Sequence, residues 1–362
     1  MDTWGEKFRI TIFGESHGPE VGVVIEGLPE GTRIDHGRIA KELTRRAPGR
    51  SKFSTTRNES DEPVILSGIE DGVSTDEPIR CVIRNENQRP GDYGSALRPG
   101  HADWTGLLKY GPSISRAGGG RFSGRLTAPL VFAGAIAKSV LAEQGIDIFG
   151  RIKSIGKLSD SIDLSAKSSY DTGRLKAISE KEFPADDDME DPFKEAILAA
   201  KADGDSVGGV IESVALGAIA GLGEPFFGSV ESTLSTLFFS VPAVKGVEFG
   251  KGFTITELRG SEANDPIALD GGKVISETNN NGGILGGIAN GMPIIARVAV
   301  KPTASIAKDQ RTVDPGKGGI DGDEMKETTI RVHGRHDPSI VPRAVPVIEA
   351  VTAIGLLDLY LR

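Results

Sequence analysis

The sequence predicts an α+β protein whose two related halves share one core. Three observations lead there. β-branched segments recur at short spacing between Gly and Pro punctuation and read as strands. Apolar stretches rich in small residues read as buried helices. One glycine-rich pattern also occurs twice. Gly14-Glu15-Ser16-His17-Gly18 leads into residues 21–26, Gly204-Asp205-Ser206-Val207-Gly208 leads into residues 210–212, and a Gly/Pro turn follows each later on. Two short copies do not establish a duplication, so the repeat is an expectation for the structure to meet.

Taken in order, residues 8–13 and 21–27 read as strands. Asp35 reads as the N-cap of a helix to Arg46, with Ile39 and Leu43 on one face and Pro48 ending it. Residues 130–144 read as a buried helix, since only Lys138 and Glu143 interrupt its small and apolar residues, and Gly145 stops it. Residues 159–191, with Asp186, Asp187 and Asp188 in a row, read as a solvated excursion. Asp191-Pro192 reads as the start of a helix carrying Phe193, Ile197 and Leu198 to Gly204. Residues 345–361 form the last helix. The chain is expected to be one domain over 1–362, its halves meeting near residues 150–205.

Composition narrows the function. Forty-two Lys and Arg against 51 Asp and Glu give a net charge of −9, which argues against a general nucleic-acid binder. Cys81 is the only cysteine, so an intrachain disulfide and a thiolate zinc cluster are excluded. No signal-peptide core and no run approaching 18 uncharged apolar residues is present, so a cytoplasmic chain without membrane partners is expected. Glycine is the anomaly: 48 residues, about 13% against a usual ~7%, without a collagen period. Many places therefore need close backbone approach.

Charge is unevenly spread. Residues 33–57 hold Arg33, Arg38, Lys41, Arg45, Arg46, Arg50, Lys52 and Arg57 against only Asp35 and Glu42. Residues 97–125 hold Arg98, Lys109, Arg116, Arg121 and Arg125 against Asp103, and Arg331, Arg335 and Arg343 surround Asp337. Such local fields point to a focused site for a small polyanion, because guanidinium forks pair carboxylates and phosphates at two points. Scattered solvated arginines are the competing reading.

Among the histidines, His17 between glycines and His101 in Arg98-Pro99-Gly100-His101-Ala102-Asp103 suit acid or base roles. His333 and His336 have helical metal-ligand spacing, but Gly334 and Pro338 argue against a helix there, and His36 reads as surface. Residues 117–125, with Gly118-Gly119-Gly120 and Ser123, offer amides and a hydroxyl ahead of the buried helix for a phosphate or ring carbonyl. Residues 279–287 form a second close-approach loop. Neither segment matches a dinucleotide or P-loop fingerprint.

With these motifs in order, the chain resembles the chorismate synthase family. The carriers are FGESHG at 13–18, RRAPG at 45–49, RPGHAD at 98–103, GGGR at 118–121, AVKGVE at 243–248, GGILGG at 282–287, KPTAS at 301–305 and GRHDP at 334–338. The resemblance implies a β-α-β sandwich of two similar halves, assembled as a homotetramer. It implies 1,4-anti elimination of phosphate from 5-enolpyruvylshikimate 3-phosphate to give chorismate, with reduced FMN and no net redox change, and NADPH as a reductant for the flavin.

Residue by residue, it implies Arg46 and Lys52 in the anion or NADP site, joined by Ser16, Arg98 and Arg125. It implies flavin contacts at Arg121, Phe122, Ser123, Pro242, Ala243, Gly286, Lys301, Pro302, Thr303, Ala304, Ser305 and Arg335. His17 becomes the acid for the departing phosphate, His101 the support for the reduced flavin, and Asp337 the group that enables proton removal near flavin N5. Lys52 stands where some members have Arg, losing the bidentate fork, and Phe122 stands where many have a second serine. A metal-dependent hydrolase and a non-catalytic polyanion binder are the alternatives from other classes.

Overall fold

Each half of the chain runs strand, strand, helix, strand, strand, helix. The computed structural model describes residues 2–49, 60–86, 95–115, 117–165, 171–316, 325–332 and 337–362. The first half comprises strands Arg9–Gly14 and Glu20–Glu26, helix α1 (His36–Arg46), strands Pro63–Ser67 and Ile79–Arg84, a short α2 (Asp103–Tyr110) and the closing α3 (Thr127–Glu143). The second opens with strand Asp147–Ile155 and then carries an insertion with α4 (Thr172–Glu180) and α5 (Asp187–Ala202). It continues through strand Gly209–Leu216, α6 (Val230–Ser240), strand Val244–Phe249, the one-turn α7 (Gly260–Ala263), strand Ile294–Val300 and the closing α8 (Val341–Tyr360).

Both halves fold their four strands into an antiparallel sheet in the order first, second, fourth, third, and each adds a two-residue strand beside its first. The two glycine-rich echoes occupy the same place, immediately before the second strand. The fold class read from the sequence is the one observed, and the pattern starts afresh between Glu143 and Asp147.

The closing helices explain why the halves share a core. α3 packs on the first sheet through Glu20–Glu26 and Ile79–Arg84, α8 packs on the second through Asp147–Ile155 and Gly209–Leu216, and α3 and α8 pack on each other. Gly134 sets their approach: a Cβ there would lie 2.3 Å from that of Ala350, so the helix tolerates a residue that costs about 1 kcal/mol in propensity. Gly124–Glu143 is apolar and long enough to cross a membrane, yet most of it lies buried between the sheets.

A charge cluster sits inside this sandwich. Glu349 of α8 is fully buried. It accepts from Arg45 Nη1 and Nη2 of α1 at 2.7 and 2.8 Å, from Lys138 Nζ of α3 at 2.7 Å, from Ser179 Oγ of α4 at 2.8 Å and from the Gly150 amide at 2.8 Å. Glu42 shares Arg45 and Lys138. Arg45 is thus a core residue and not part of an anion site. Arg38 bonds the Lys138 carbonyl and Lys41 pairs with Glu180, so these window cations also go to structure.

Three helices begin earlier than the sequence predicts, each with a proline inside. α3 starts at Thr127, before Pro129; α5 starts at Asp187, before Pro192; α8 starts at Val341, before Pro346. A proline near the N-terminus removes few bonds, and packing keeps the first turn. The true cap of α5 is Asp186, and the acidic run is its first turn, where the helix dipole favours negative charge. Among its described residues the 159–191 stretch is likewise no solvated excursion. Its Asp160 pairs with buried Arg151 and with Lys153, and Leu164 and Leu175 close an apolar cluster with Phe149, Val214 and Ile295 of the second sheet.

Replacing Glu349 with Ala should cost about 3–5 kcal/mol, as for breaking a buried ion pair, read by denaturant unfolding. Burial pushes the Glu349 carboxyl up, but Arg45 and Lys138 outweigh it and hold it down at about 2, against an ordinary 4.5. A depressed carboxyl stabilises above its unfolded value and loses that contribution as it protonates in the fold. This part of the stability should therefore be intact above pH 4.5 and vanish towards pH 2, and the acid-unfolding curve of Glu349→Ala should lack it.

Candidate active site

Gly118, Gly119 and Gly120 follow one another at φ of 57°, 90° and 51°, a left-handed run that side chains rarely adopt. The space confirms the need. A Cβ at Gly118 would lie 2.0 Å from Cε1 and 2.2 Å from Nδ1 of His17, and one at Gly119 would lie 3.2 Å from Nε2 of His101. Two imidazoles far apart in sequence therefore flank one stretch of bare backbone. The Ser16 amide bonds the Gly120 carbonyl at 3.1 Å, which pins the His17 loop to the run. Ser16 itself is fully buried, and its hydroxyl has no hydrogen-bond partner among the described residues.

His101 is held from its other side. Its Nδ1 lies 2.8 Å from Asp103 Oδ1, and Arg98 clamps the same carboxylate through Nε at 2.8 Å, Nη2 at 2.7 Å and its own amide at 3.0 Å. Burial alone would raise the Asp103 carboxyl, but these bonds hold it well below the usual carboxylate range. Residues from the second half close in. Lys301 Nζ donates to the Gly100 carbonyl, and the methyl of Ala304 lies near Gly100. Ala243, in a left-handed conformation at φ 74°, accepts from the Lys301 amide at 3.0 Å. Ser206, from the second glycine-rich echo, donates to the Thr303 carbonyl at 2.7 Å, and the neighbouring Val207 amide bonds the Pro338 carbonyl at 2.9 Å. The buried Thr303 hydroxyl has no partner among the described residues.

A buried charge cluster adjoins this seam. Asp61 lies between Arg46, whose Nε is 2.6 Å away, and Arg125. Burial pushes the Asp61 carboxyl up, and the two guanidiniums outweigh it and hold it low. Arg125 also donates to Asn85 Oδ1 at 2.8 Å, and Asn85 Nδ2 donates to the carbonyls of Glu15 and Gly18, which ties the cluster to the His17 loop. Arg343 donates to the Arg46 carbonyl at 3.1 Å and to Asp337. Asp61 and Asn85 carried no motif, and only their contacts reveal them.

Several expected contacts are placed elsewhere. Arg121 points to Asp2 at 2.8 Å and over the Tyr110 ring, and Phe122 packs on Gly106 and Tyr110 of α2. Ser123 joins the glycine run, but its Oγ accepts from the Arg125 amide at 3.3 Å. Arg98 spends its fork on Asp103 and not on a free anion. Gly286 sits at an exposed turn between Ile284–Leu285 and Ile288–Ala289, at φ 62°, with open space where a Cβ would be. Arg331 pairs with Asp309 and not with Asp337, and His36 is exposed as expected. Lys52, Arg335, His333 and His336 lie outside the described residues.

This combination of sandwich and seam has known counterparts. The family model for chorismate synthase matches residues 8–361. The chain belongs to the chorismate synthase family. It is 46% identical to the chorismate synthase of Pyrococcus abyssi over 98% of this chain and 96% of that one. It is also 46% identical to that of Archaeoglobus fulgidus, over 99% and 96%. A crystal structure of a chorismate synthase superposes with a TM-score of 0.74 at 29% identity, covering 98% of this chain and 92% of that one. The protein is accordingly a chorismate-forming lyase of the shikimate pathway.

The bare backbone beside the two imidazoles leaves no room for a side chain at Gly118. Gly118→Ala would place a Cβ in the His17 ring, so the ring must move. Since a displacement of about 1 Å can cost about 100-fold in rate, turnover should fall by at least that factor while circular dichroism shows a folded chain. Wild-type turnover in this variant would show that the position of His17 does not matter.

Proposed function

We propose that this enzyme forms chorismate by 1,4-anti elimination of phosphate from 5-enolpyruvylshikimate 3-phosphate with reduced FMN bound. The observation that carries the reading is the convergence of His17 and His101 on one glycine run beside the Lys301–Ser305 loop and the Arg46–Asp61–Arg125 cluster. Two buried hydroxyls without partners among the described residues, Ser16 and Thr303, fit a polar ring system and its side chain. Ser123, Ala243, Lys301, Thr303 and Ser305 would hold the flavin. Reduced flavin would supply an electron-rich ring that assists departure of the phosphate without net redox change.

The chain's own groups handle the protons. His17 donates to an oxygen of the departing phosphate, which leaves more readily once protonated. His101, as the imidazolium, presents an Nε2 proton that stabilises negative charge beside the glycine run. Asp337, oriented by Arg343, accepts the proton removed from the substrate. Arg46 and Arg125, whose forks are spent on Asp61 and Asn85, would act on a substrate with two carboxylates and a phosphate through the field of the cluster, two guanidiniums against one carboxylate. NADPH as reductant, a cytoplasmic location and a homotetramer belong to the same proposal. Phe226 and Phe227, 86% and 95% exposed, are apolar surface suited to self-association.

An anaerobic assay with dithionite-reduced FMN tests the reading: oxidised FMN should give no chorismate and reduced FMN should give turnover. Activity without any flavin would refute it. Single His17→Ala and His101→Ala replacements should each slow turnover at least roughly 100-fold in folded protein. Asp337→Asn should bind FMN and substrate nearly as wild type while turning over at least about 100-fold more slowly. Loss of binding together with activity would make Asp337 a partner of Arg343 and no base.

A further inference from the structure

The contacts around His101 determine more than its place. Nδ1 faces two groups, the Asp103 carboxylate at 2.8 Å and the Arg98 Nη2 at 3.2 Å. The neutral ring has two ways to answer them. With the proton on Nδ1, the ring donates to an ionised carboxylate at short range, and the only cost is an Arg98 donor facing N–H at longer range. With the proton on Nε2, the Nδ1 lone pair accepts from Arg98 at the longer distance and confronts a carboxylate oxygen at 2.8 Å. A charge-assisted bond at the shorter distance wins. Asp103 cannot swing away, because Arg98 holds it with three donors and both residues are buried.

We infer that Asp103 is a positioning residue which commits the neutral His101 ring to its Nδ1–H tautomer, so that Nε2 alone can gain and lose a proton. Nε2 is the atom that faces Gly119, 3.2 Å from where a Cβ would sit. Proton traffic at His101 is thereby directed at the glycine run and barred from the buried side. The inference rests on the reading that His101 serves the reaction, and it assigns Arg98 and Asp103 to the histidine and not to the substrate. In an Asp103→Asn variant the amide oxygen takes the Oδ2 position, where two Arg98 donors converge, and the amide nitrogen then faces Nδ1. The ring must accept there and carry its proton on Nε2, the wrong tautomer for delivering charge.

Nitrogen-15 spectra of histidine-labelled protein read the tautomer directly, with His101→Ala assigning the signal. The wild-type neutral ring should show Nδ1–H, and Asp103→Asn should show Nε2–H. That variant should also lose at least roughly tenfold in kcat while FMN affinity stays within about twofold. A wild-type Nε2–H tautomer overturns the inference without any variant, so a misfolded Asp103→Asn does not shield it. A switched tautomer with unchanged kcat overturns it as well. Full turnover by His101→Ala defeats instead the catalytic reading of His101, an outcome separate from either spectrum.

Discussion

A carboxylate without access to water holds the two halves of this protein in register. Glu349 of α8 draws donors from α1, α3, α4 and the Gly150 amide, and so couples elements of both halves. Sliding any of these helices by a turn would leave a buried charge unpaired, at several kcal/mol. Between helices as apolar as α3 and α8, the close fit of Gly134 to Ala350 and the ion cluster together select one arrangement, and the loops at the ends of those helices then meet where they do.

The active-site seam follows from that arrangement. The His17 loop, the His101 loop and the glycine run belong to the first half, whereas Ser206, the Lys301–Ser305 loop and Asp337 belong to the second. In the repeated pattern, the echoes at 14–18 and 204–208 precede equivalent strands. His101 and Asp337 both lie between a fourth strand and a closing helix. One fold unit used twice has thus brought two sets of equivalent loops to a shared boundary, and only the first echo carries a histidine.

Much of this was readable from residue types alone. Asp35 as a cap and Ile39 and Leu43 as one face depend on neighbours within a few positions, and the echo on self-similarity, all of which a sequence displays. The excess of glycine announced close approach, and Gly118 against His17 is its clearest case. What failed had a different physical origin. Pro192 reads as a helix start because the rule weighs the lost amide, and the helices read from residues 130 and 345 also begin earlier, since long-range packing keeps the turn before each proline. Asp61 and Asn85 found their partners in other elements of the fold, as did Arg45, which the 33–57 charge window counted as available. No local pattern shows whether an arginine faces a ligand or a buried glutamate.

The claim that both halves build one site is tested most directly by a crystal structure grown anaerobically with reduced FMN and substrate. The account predicts that the bound molecules touch His17 and His101 of the first half together with Lys301 and Thr303 of the second. Ligands contacting residues of one half only, with either imidazole left against bare glycine, would contradict it.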